Sequence, residues 1–192
     1  NYRKTDKKGL ICIPSGNHDM DRLARRLKGI EQKVAFAFLL SMPGAPFIYY
    51  GDEIGMNYVE NLVSVEGGYS RTGSRSPMQW NHGLNMGFGS AAPQKLYIPL
   101  DTSPDAPTVE DQMADDNSLL NEIRRLITLR REHPALSNQA EIEFVYAQKD
   151  RYPLAYVRRS TAEEMLIIIN PSGMTQRFSC KYRPLEECYH LN

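Results

Sequence analysis

The first fifty or so positions alternate between apolar runs and polar turns in the order of a strand, a helix and a second strand. Residues 10–13 form a short apolar run, and residues 47–50 form another. Between them, residues 31–42 are good helix formers and apolar on nearly every face, which predicts a helix packed in the interior. Strand, helix and strand with short links make a βαβ unit, so we expect parallel strands and a right-handed crossover.

In the remainder of the chain the pattern of residue types changes twice. Residues 57–116 are rich in Gly, Pro and Ser with little periodicity, and their aromatic and Arg content favours a functional loop over disorder. An amphipathic helix is predicted over residues 118–132, because apolar residues recur there at helical spacing. Four short runs with strand character follow, separated by turn residues: 141–146, 154–159, 165–169 and 176–180. Closely spaced short strands predict an antiparallel sheet.

This organisation predicts two domains with a boundary near residues 137 to 141. Residues 1–138 are assigned to an α/β domain that includes the long loop, and residues 139–192 to a partial antiparallel β domain. Two parallel strands alone leave an unpaired edge on each side and too small a core. We therefore expect the chain to be a truncated part of a larger sheet, able to self-associate through its open edges.

Composition excludes several classes of function. Lys plus Arg and Asp plus Glu both number 23, so the formal net charge is zero and no basic surplus favours nucleic acid. No run of about 18 apolar residues is present, so no membrane span is predicted. The three cysteines show neither a disulfide framework nor a metal spacing. We predict no metal site.

Polar residues follow both predicted strands. Asn17, His18 and Asp19 come after the first strand, and Asp52 and Glu53 come after the second. Ligands bind at the carboxyl ends of strands in parallel α/β sheets and barrels. The two clusters are therefore expected at one rim of the sheet, lining a common hollow.

The order of these motifs resembles the α-amylase superfamily. Asn17-His18-Asp19 resembles its fourth conserved region, and Arg22, the apolar helix, the segment 43–56 and Arg75-Ser-Pro-Met-Gln-Trp80 follow in the family's order. The last element is similar to the branch of oligo-1,6-glucosidases, α-glucosidases and trehalose synthases. The resemblance covers roughly residues 10–170. It implies strands seven and eight, with their helices, of a (β/α)₈ TIM barrel, followed by an antiparallel β domain.

The resemblance also implies a function. It points to a retaining glycoside hydrolase that acts on α-glucosidic bonds of oligosaccharides through a nucleophile and a general acid. In the superfamily these two residues lie on the fourth and fifth barrel strands, so this chain lacks both and is expected to be inactive without the N-terminal part of the barrel. Two alternatives stay open: an isomerase or glycosyl transferase of the trehalose-synthase type, and a non-catalytic binding subunit.

Roles for individual residues come from the same resemblance. Asp19 matches the carboxylate that stabilises the transition state, and His18 matches an imidazole that binds the same sugar hydroxyls. Asn17, Arg22 and Arg75 complete the predicted substrate-binding set. Asn17 and Arg22 are expected to fix the loop, while Arg75 contacts either the sugar or a site carboxylate. Some relatives use calcium, but no ligand set can be named here and no cofactor is predicted.

Three further residues near the rim receive structural interpretations. A pair of carboxylates such as Asp52 and Glu53 invites an acid–base assignment, but the resemblance argues against it and capping of the second loop explains both. Trp80 could stack on a sugar ring, although a packing role is favoured for a single Trp in this loop.

Overall fold

The computed structural model of the chain describes residues 9–69, 71–180 and 182. These residues gather into two compact units that alternate along the sequence. Unit one draws on the described residues of the segments Asn1–Ile13, Lys33–Pro46 and Arg124–Asn192, and unit two on those of Pro14–Gln32 and Phe47–Ile123. The predicted domains, residues 1–138 and 139–192, divide the chain at other positions than these two units, and they stay a prediction.

A pair of short strands connected by a helix opens the fold. Strand β1 (Cys12–Pro14) pairs with β2 (Ala45–Phe47), and α1 (Ile30–Ser41) lies between them in the chain. The N–H of Ala45 donates to the carbonyl of Ile11 at 2.9 Å, and the N–H of Ser15 donates to Phe47 at 2.8 Å. Partners therefore advance in the same direction along both strands, which makes the pair parallel as the sequence predicts.

Strand β2 lies two residues earlier than the predicted run at 47–50. Gly44, immediately before β2, has φ of +108°. A Cβ at this position would lie 2.5 Å from the carbonyl oxygen of Ile11. Only glycine lets the backbone approach β1 this closely. At the other end the ladder stops early, because the N–H of Tyr49 donates to the side chain of Ser15 at 3.0 Å.

Helix α1 is buried on one face only. Phe36, Leu39 and Leu40 are buried, whereas Ile30 and Phe38 are 58% and 38% exposed. The prediction that α1 is covered on every side is wrong for this chain. The described residues supply one packing surface, and a helix that is apolar all round requires two.

Two arginines of unit one bind the carbonyl groups at the C-terminal end of α1. Arg158 is fully buried and donates to the carbonyls of Ser41 and, at 2.7 Å, Ser137. Arg130 donates to the carbonyls of Leu40 and Met42 at 2.5 and 2.8 Å. The last carbonyls of a helix have no partner within it, and cationic donors there also complement the helix dipole. Unit one is therefore organised around this helix end.

An antiparallel sheet of three strands completes unit one. Its order is β5 (Glu141–Tyr146), β6 (Leu154–Arg159) and β7 (Glu164–Ile169). Ala155, Tyr156 and Val157 in the central strand are fully buried. The predicted antiparallel sheet is confirmed for these three strands.

The fourth predicted strand is absent. Residues 176–180 are described but have no regular structure. Phe178 contacts the ring of Tyr146 with centroids 5.2 Å apart, so this segment is held by side-chain packing on β5 and not by backbone pairing. Residues 183–192 of the predicted β domain lie outside the described residues.

Unit two contains the long glycine-rich segment and the start of the last helix. Helix α3 (Leu119–Glu132) ends where predicted, and Ser118 caps it by accepting the N–H of Asn121 at 3.1 Å. The segment itself forms a small hairpin of β3 (Val63–Ser64) and β4 (Gly67–Gly68), several 3₁₀ turns and a helix, α2 (Val109–Ala114). Ile54, Met56 and Met78 form a buried apolar cluster in unit two. Among the described helices, none has the length and apolar character needed to cross a membrane.

The buried guanidinium of Arg158 gives a stability prediction. Replacing it by methionine keeps the volume of the stem but leaves the carbonyl of the buried residue Ser41 without this donor. We expect Arg158→Met to lower the free energy of unfolding by about 3 kcal/mol or more in urea denaturation. The matched Arg151→Met change, at an exposed turn residue, should cost under about 0.5 kcal/mol. Equal losses for the two variants would contradict this account.

A second prediction concerns pH. The side chain of Glu163 bonds to His133 and accepts the N–H of Ala135 at 3.0 Å. Burial alone would raise the pKa of Glu163, but these hydrogen bonds outweigh it and hold the pKa below its ordinary value of 4.5. A carboxyl group with a depressed folded-state pKa stabilises the fold above the unfolded value, and this contribution is lost as pH falls through the folded value.

We therefore expect Glu163→Gln to lower the melting temperature near neutral pH and to flatten its decline between about pH 6 and about pH 3. The exposed Glu132→Gln change serves as control. A decline in the Glu163→Gln protein as steep as in the unmodified chain would count against the role of this pair.

Candidate active site

The loop that follows β1 carries the first part of the site. The side-chain oxygen of Asn17 accepts the N–H of Asp19 at 2.8 Å, and the N–H of Met20 donates to the carbonyl of Asn17 at 3.3 Å. These bonds form a tight turn in which an Asn side chain substitutes for a backbone acceptor. Asn17 thus has the contacts of a loop-fixing residue, and any contact with a substrate stays a prediction.

Three cationic or imidazole groups surround the carboxylate of Asp19. Arg75 Nη2 lies 2.8 Å and Arg71 Nη1 lies 3.1 Å from the same oxygen, Oδ1. His18 Nε2 lies 3.4 Å from the other oxygen. Arg75 also donates from Nε to the carbonyl of His18 at 2.8 Å. The side chain of Asp19 remains 46% exposed, so its carboxylate is oriented yet accessible.

Arg71 is a member of this cluster that the sequence analysis missed. It precedes Arg75 by four positions, and the 3₁₀ helix Thr72–Ser74 lies between them. This tight turn lies between the two arginines, and both guanidinium groups reach the same oxygen of Asp19. The pattern of two arginines four apart, just before the Pro-Met-Gln-Trp element, was the available signal.

The loop that follows β2 is joined to the first loop by a buried polar contact. Ser15 Oγ donates to Asp52 Oδ2 at 2.7 Å, and Arg22 Nη1 lies 3.6 Å from Asp52 Oδ1. Both side chains of the ion pair are fully buried. Burial raises the pKa of Asp52, and the contacts from Ser15 and Arg22 oppose this effect.

Arg22 is further held by the two tyrosines at the end of the second predicted run. Its guanidinium lies 5.2 Å from the ring centroid of Tyr49 and 4.9 Å from that of Tyr50, and it donates to the carbonyl of Tyr50 at 2.6 Å. The two phenol groups in turn donate to the carbonyls of Ser74 and Ser76 at 3.0 and 2.9 Å. This network connects both strand ends to the segment that carries Arg75.

The predicted rim is therefore present, but the two clusters differ in exposure. Both loops leave the parallel pair at its carboxyl end and share the Ser15–Asp52 bond. His18, Asp19 and Arg75 come together at the surface, whereas Asp52 is only 1% exposed. Asp52 is therefore too deeply buried to line a hollow, and Arg22, also 1% exposed, is too deeply buried to contact a sugar. The contacts of Arg22 are those of a residue that fixes the loop.

The Arg-x-Pro-Met-Gln-Trp element has mainly structural contacts. Met78 belongs to the buried cluster, and Gln79 is fully buried and donates to the carbonyl of Pro107 at 2.5 Å. Trp80 departs from the packing role favoured from sequence, since it is 49% exposed. Its backbone is what holds the segment, because it pairs with Met86 and Glu110.

In the ranges 9–69 and 71–180 and at residue 182, no three or more His, Cys, Asp or Glu residues are arranged to hold a metal ion. The side chains of His18, Asp19 and Arg75 are charged and hydrogen-bonding groups, which are suited to a polyhydroxylated ligand.

Comparison with known proteins places this geometry in a family. The family described as "Alpha amylase, catalytic domain" matches residues 3–139. The chain is 41% identical over 168 residues to a trehalose synthase/amylase of Mycobacterium tuberculosis, covering 81% of the chain and 27% of that protein. It is 27% identical over 202 residues to a probable oligo-1,6-glucosidase of Bacillus subtilis, covering 88% of the chain and 35% of that protein.

A solved structure gives the same result. The chain is similar to the crystal structure of an α-glucosyl transfer enzyme, XgtA, with a TM-score of 0.71 and 27% identity over 88% of the chain and 35% of that structure. Its structural neighbours are α-amylase-family TIM-barrel enzymes. The chain belongs to the α-amylase family, and it spans about a quarter to a third of the length of these relatives. The assignment of β1 and β2 to particular barrel strands stays a prediction.

The close approach at Gly51 gives a test of the buried network. Gly51 has φ of +84°, and a Cβ there would lie 2.3 Å from the sulfur of Met56 and 2.9 Å from Arg22 Nη1. Gly29 has φ of +50° with nothing within 4 Å. Both alanine variants bear the strain of positive φ, but only Gly51→Ala adds a collision. We expect Gly51→Ala to cost at least about 2 kcal/mol more than Gly29→Ala in thermal denaturation. Similar costs would show that the network is easily displaced.

Proposed function

We propose that this chain supplies strands seven and eight, with their rim loops, of the (β/α)₈ barrel of a retaining glycosidase that acts on α-glucosidic bonds of oligosaccharides. The observation that carries the proposal is the carboxylate of Asp19. It lies exposed after a parallel strand, in a chain of the α-amylase family, with Arg75 and Arg71 on one oxygen and His18 beside the other.

The chemistry of glycosidic cleavage requires such a group. The transition state resembles an oxocarbenium ion, with a distorted ring and positive charge at the anomeric carbon. Asp19 accepts hydrogen bonds from sugar hydroxyls next to the scissile bond, and these bonds strengthen as the charge develops. His18 supplies a ring nitrogen to the same hydroxyls, while Arg75 fixes both residues from one guanidinium group.

The nucleophile and the general acid come from the part of the barrel that this chain does not contain. Superfamily members carry them on strands four and five. Under this proposal the isolated chain has no glycosidase activity, and the missing barrel strands are its structural partner. Self-association of the isolated chain through its open strand edges belongs to the same proposal.

A second candidate is isomerisation of the trehalose-synthase type, in which the cleaved glucosyl group is returned to a sugar and not to water. The identity values favour it, since the chain is 41% identical to a trehalose synthase/amylase but 27% identical to a probable oligo-1,6-glucosidase. Incubation of the complete protein with maltose separates the two candidates, because hydrolysis yields glucose and isomerisation yields trehalose. Absence of products from both maltose and the α-1,6-linked isomaltose would favour a non-catalytic binding subunit.

Asp19 provides the direct test. In the complete protein we expect Asp19→Asn to lower kcat on maltose by about 10²- to 10³-fold, because the amide keeps the shape but loses the charge that stabilises the transition state. The exposed Asp105→Asn change in the same unit should leave kcat unchanged. Full activity of the Asp19→Asn protein would remove the basis of the proposal.

A further inference from the structure

We propose that Asp52 is a positioning residue: its carboxylate clamps both ends of the loop that carries Asn17, His18 and Asp19, and thereby sets where Asp19 meets the substrate. This inference rests on the proposed function, since it assigns to Asp52 the placement of the group that carries it. It differs from the sequence interpretation, in which Asp52 caps its own loop.

The contacts of Asp52 reach the two ends of one loop. Ser15, immediately before the loop, donates from Oγ to Asp52 Oδ2 at 2.7 Å. At the far end, Arg22 Nη1 lies 3.6 Å from Oδ1. A single side chain thus fixes the distance between the start and the end of the segment 16–21.

Burial makes this clamp stiff. Asp52 and Arg22 are each 1% exposed, so water does not screen their attraction. Removing one partner of a buried pair leaves the other charge without compensation. The guanidinium of Arg22 also packs against the rings of Tyr49 and Tyr50, so it meets Asp52 from a fixed direction.

Two glycines allow the carboxylate to come this close. A Cβ on Gly16 would lie 3.0 Å from Asp52 Oδ2, and a Cβ on Gly51 would lie 2.9 Å from Arg22 Nη1. Side chains at these positions would push the two loops apart. The glycines therefore belong to the clamp, one on each loop.

The clamp matters for the site because it sets the position of the loop that carries Asp19. Within segment 16–21 the turn of Asn17 fixes local shape, but it does not fix the position of the loop relative to β2. Arg75 and Arg71 bind the loop from a later segment of the chain. Its position relative to the end of β2 is set by Ser15, Arg22 and Asp52. A displacement of about 1 Å in a group that stabilises a transition state can reduce the rate by about 10²-fold.

The experiment uses the complete protein with maltose as substrate. We expect Asp52→Ala to lower kcat by about 10- to 100-fold with a smaller change in KM. The control is Asp101→Ala, which removes another buried carboxylate of unit two, held by Ser103 at 2.5 Å. Asp101→Ala should keep kcat, and equal losses of kcat in the two variants would overturn the proposal.

A double variant distinguishes positioning from general damage. If Asp52 acts through Asp19, then Asp52→Ala should lower kcat no further in a protein that already carries Asp19→Asn. Multiplied losses would overturn the proposal. If Asp19→Asn alone keeps full activity, the proposed function fails; if Asp19→Asn is inactive while Asp52→Ala is fully active, only the clamp fails.

A milder pair of variants decides the matter should Asp52→Ala not fold. Ser15→Ala removes the hydrogen bond to Asp52 together with the acceptor of the Tyr49 N–H, and Ser15→Thr restores the hydroxyl for both. We expect Ser15→Ala to lower kcat several-fold and Ser15→Thr to recover most of it. Equal activity of both with the unmodified protein would overturn the proposal.

Discussion

Burying a guanidinium group that has few partners is energetically unfavourable. The candidate site depends on the contacts that compensate for the burial of Arg22. Burying an ionised group is unfavourable unless opposite charge and hydrogen-bond acceptors surround it. The chain supplies the carboxylate of Asp52, the carbonyl of Tyr50 and the faces of two tyrosine rings. Because Asp52 follows β2 and Arg22 ends the loop after β1, satisfying this charge brings the two loops together. The first of these two loops carries the exposed carboxylate of Asp19.

Unit one follows the same physical rule with different residues. Arg158 and Arg130 donate to carbonyl groups at the end of α1, where the helix itself provides no donors. Polar groups that would be expensive to bury alone thus become the points at which separate segments are joined. In unit one, guanidinium groups that use several donors in a fixed plane serve this purpose better than a lysine would.

Some features of the fold and site follow directly from local patterns. The apolar period of residues 118–132 predicted α3 closely, and the run with strand character at 154–159 predicted β6. Helix α2 was missed although Thr108 and Asp111 stand at capping-box spacing, and the side chain of Thr108 accepts the N–H of Asp111. The run at 176–180 has strand character, yet Phe178 packs on Tyr146 and the backbone pairs with no strand. Pairing is a property of two segments, so one segment's pattern could not decide it.

By itself the sequence determined the order of elements, the family resemblance and the identity of the groups after each strand, because periodicity, turn residues and motif order are local properties. The tertiary structure decided which of those groups face solvent and which are buried. Asp19 and Asp52 are the same residue type in similar positions after parallel strands, yet one is 46% exposed in its side chain and the other is fully buried. That difference depends on Arg22 and Ser15 reaching across from another loop, and such contacts between distant segments exist only once the chain is folded.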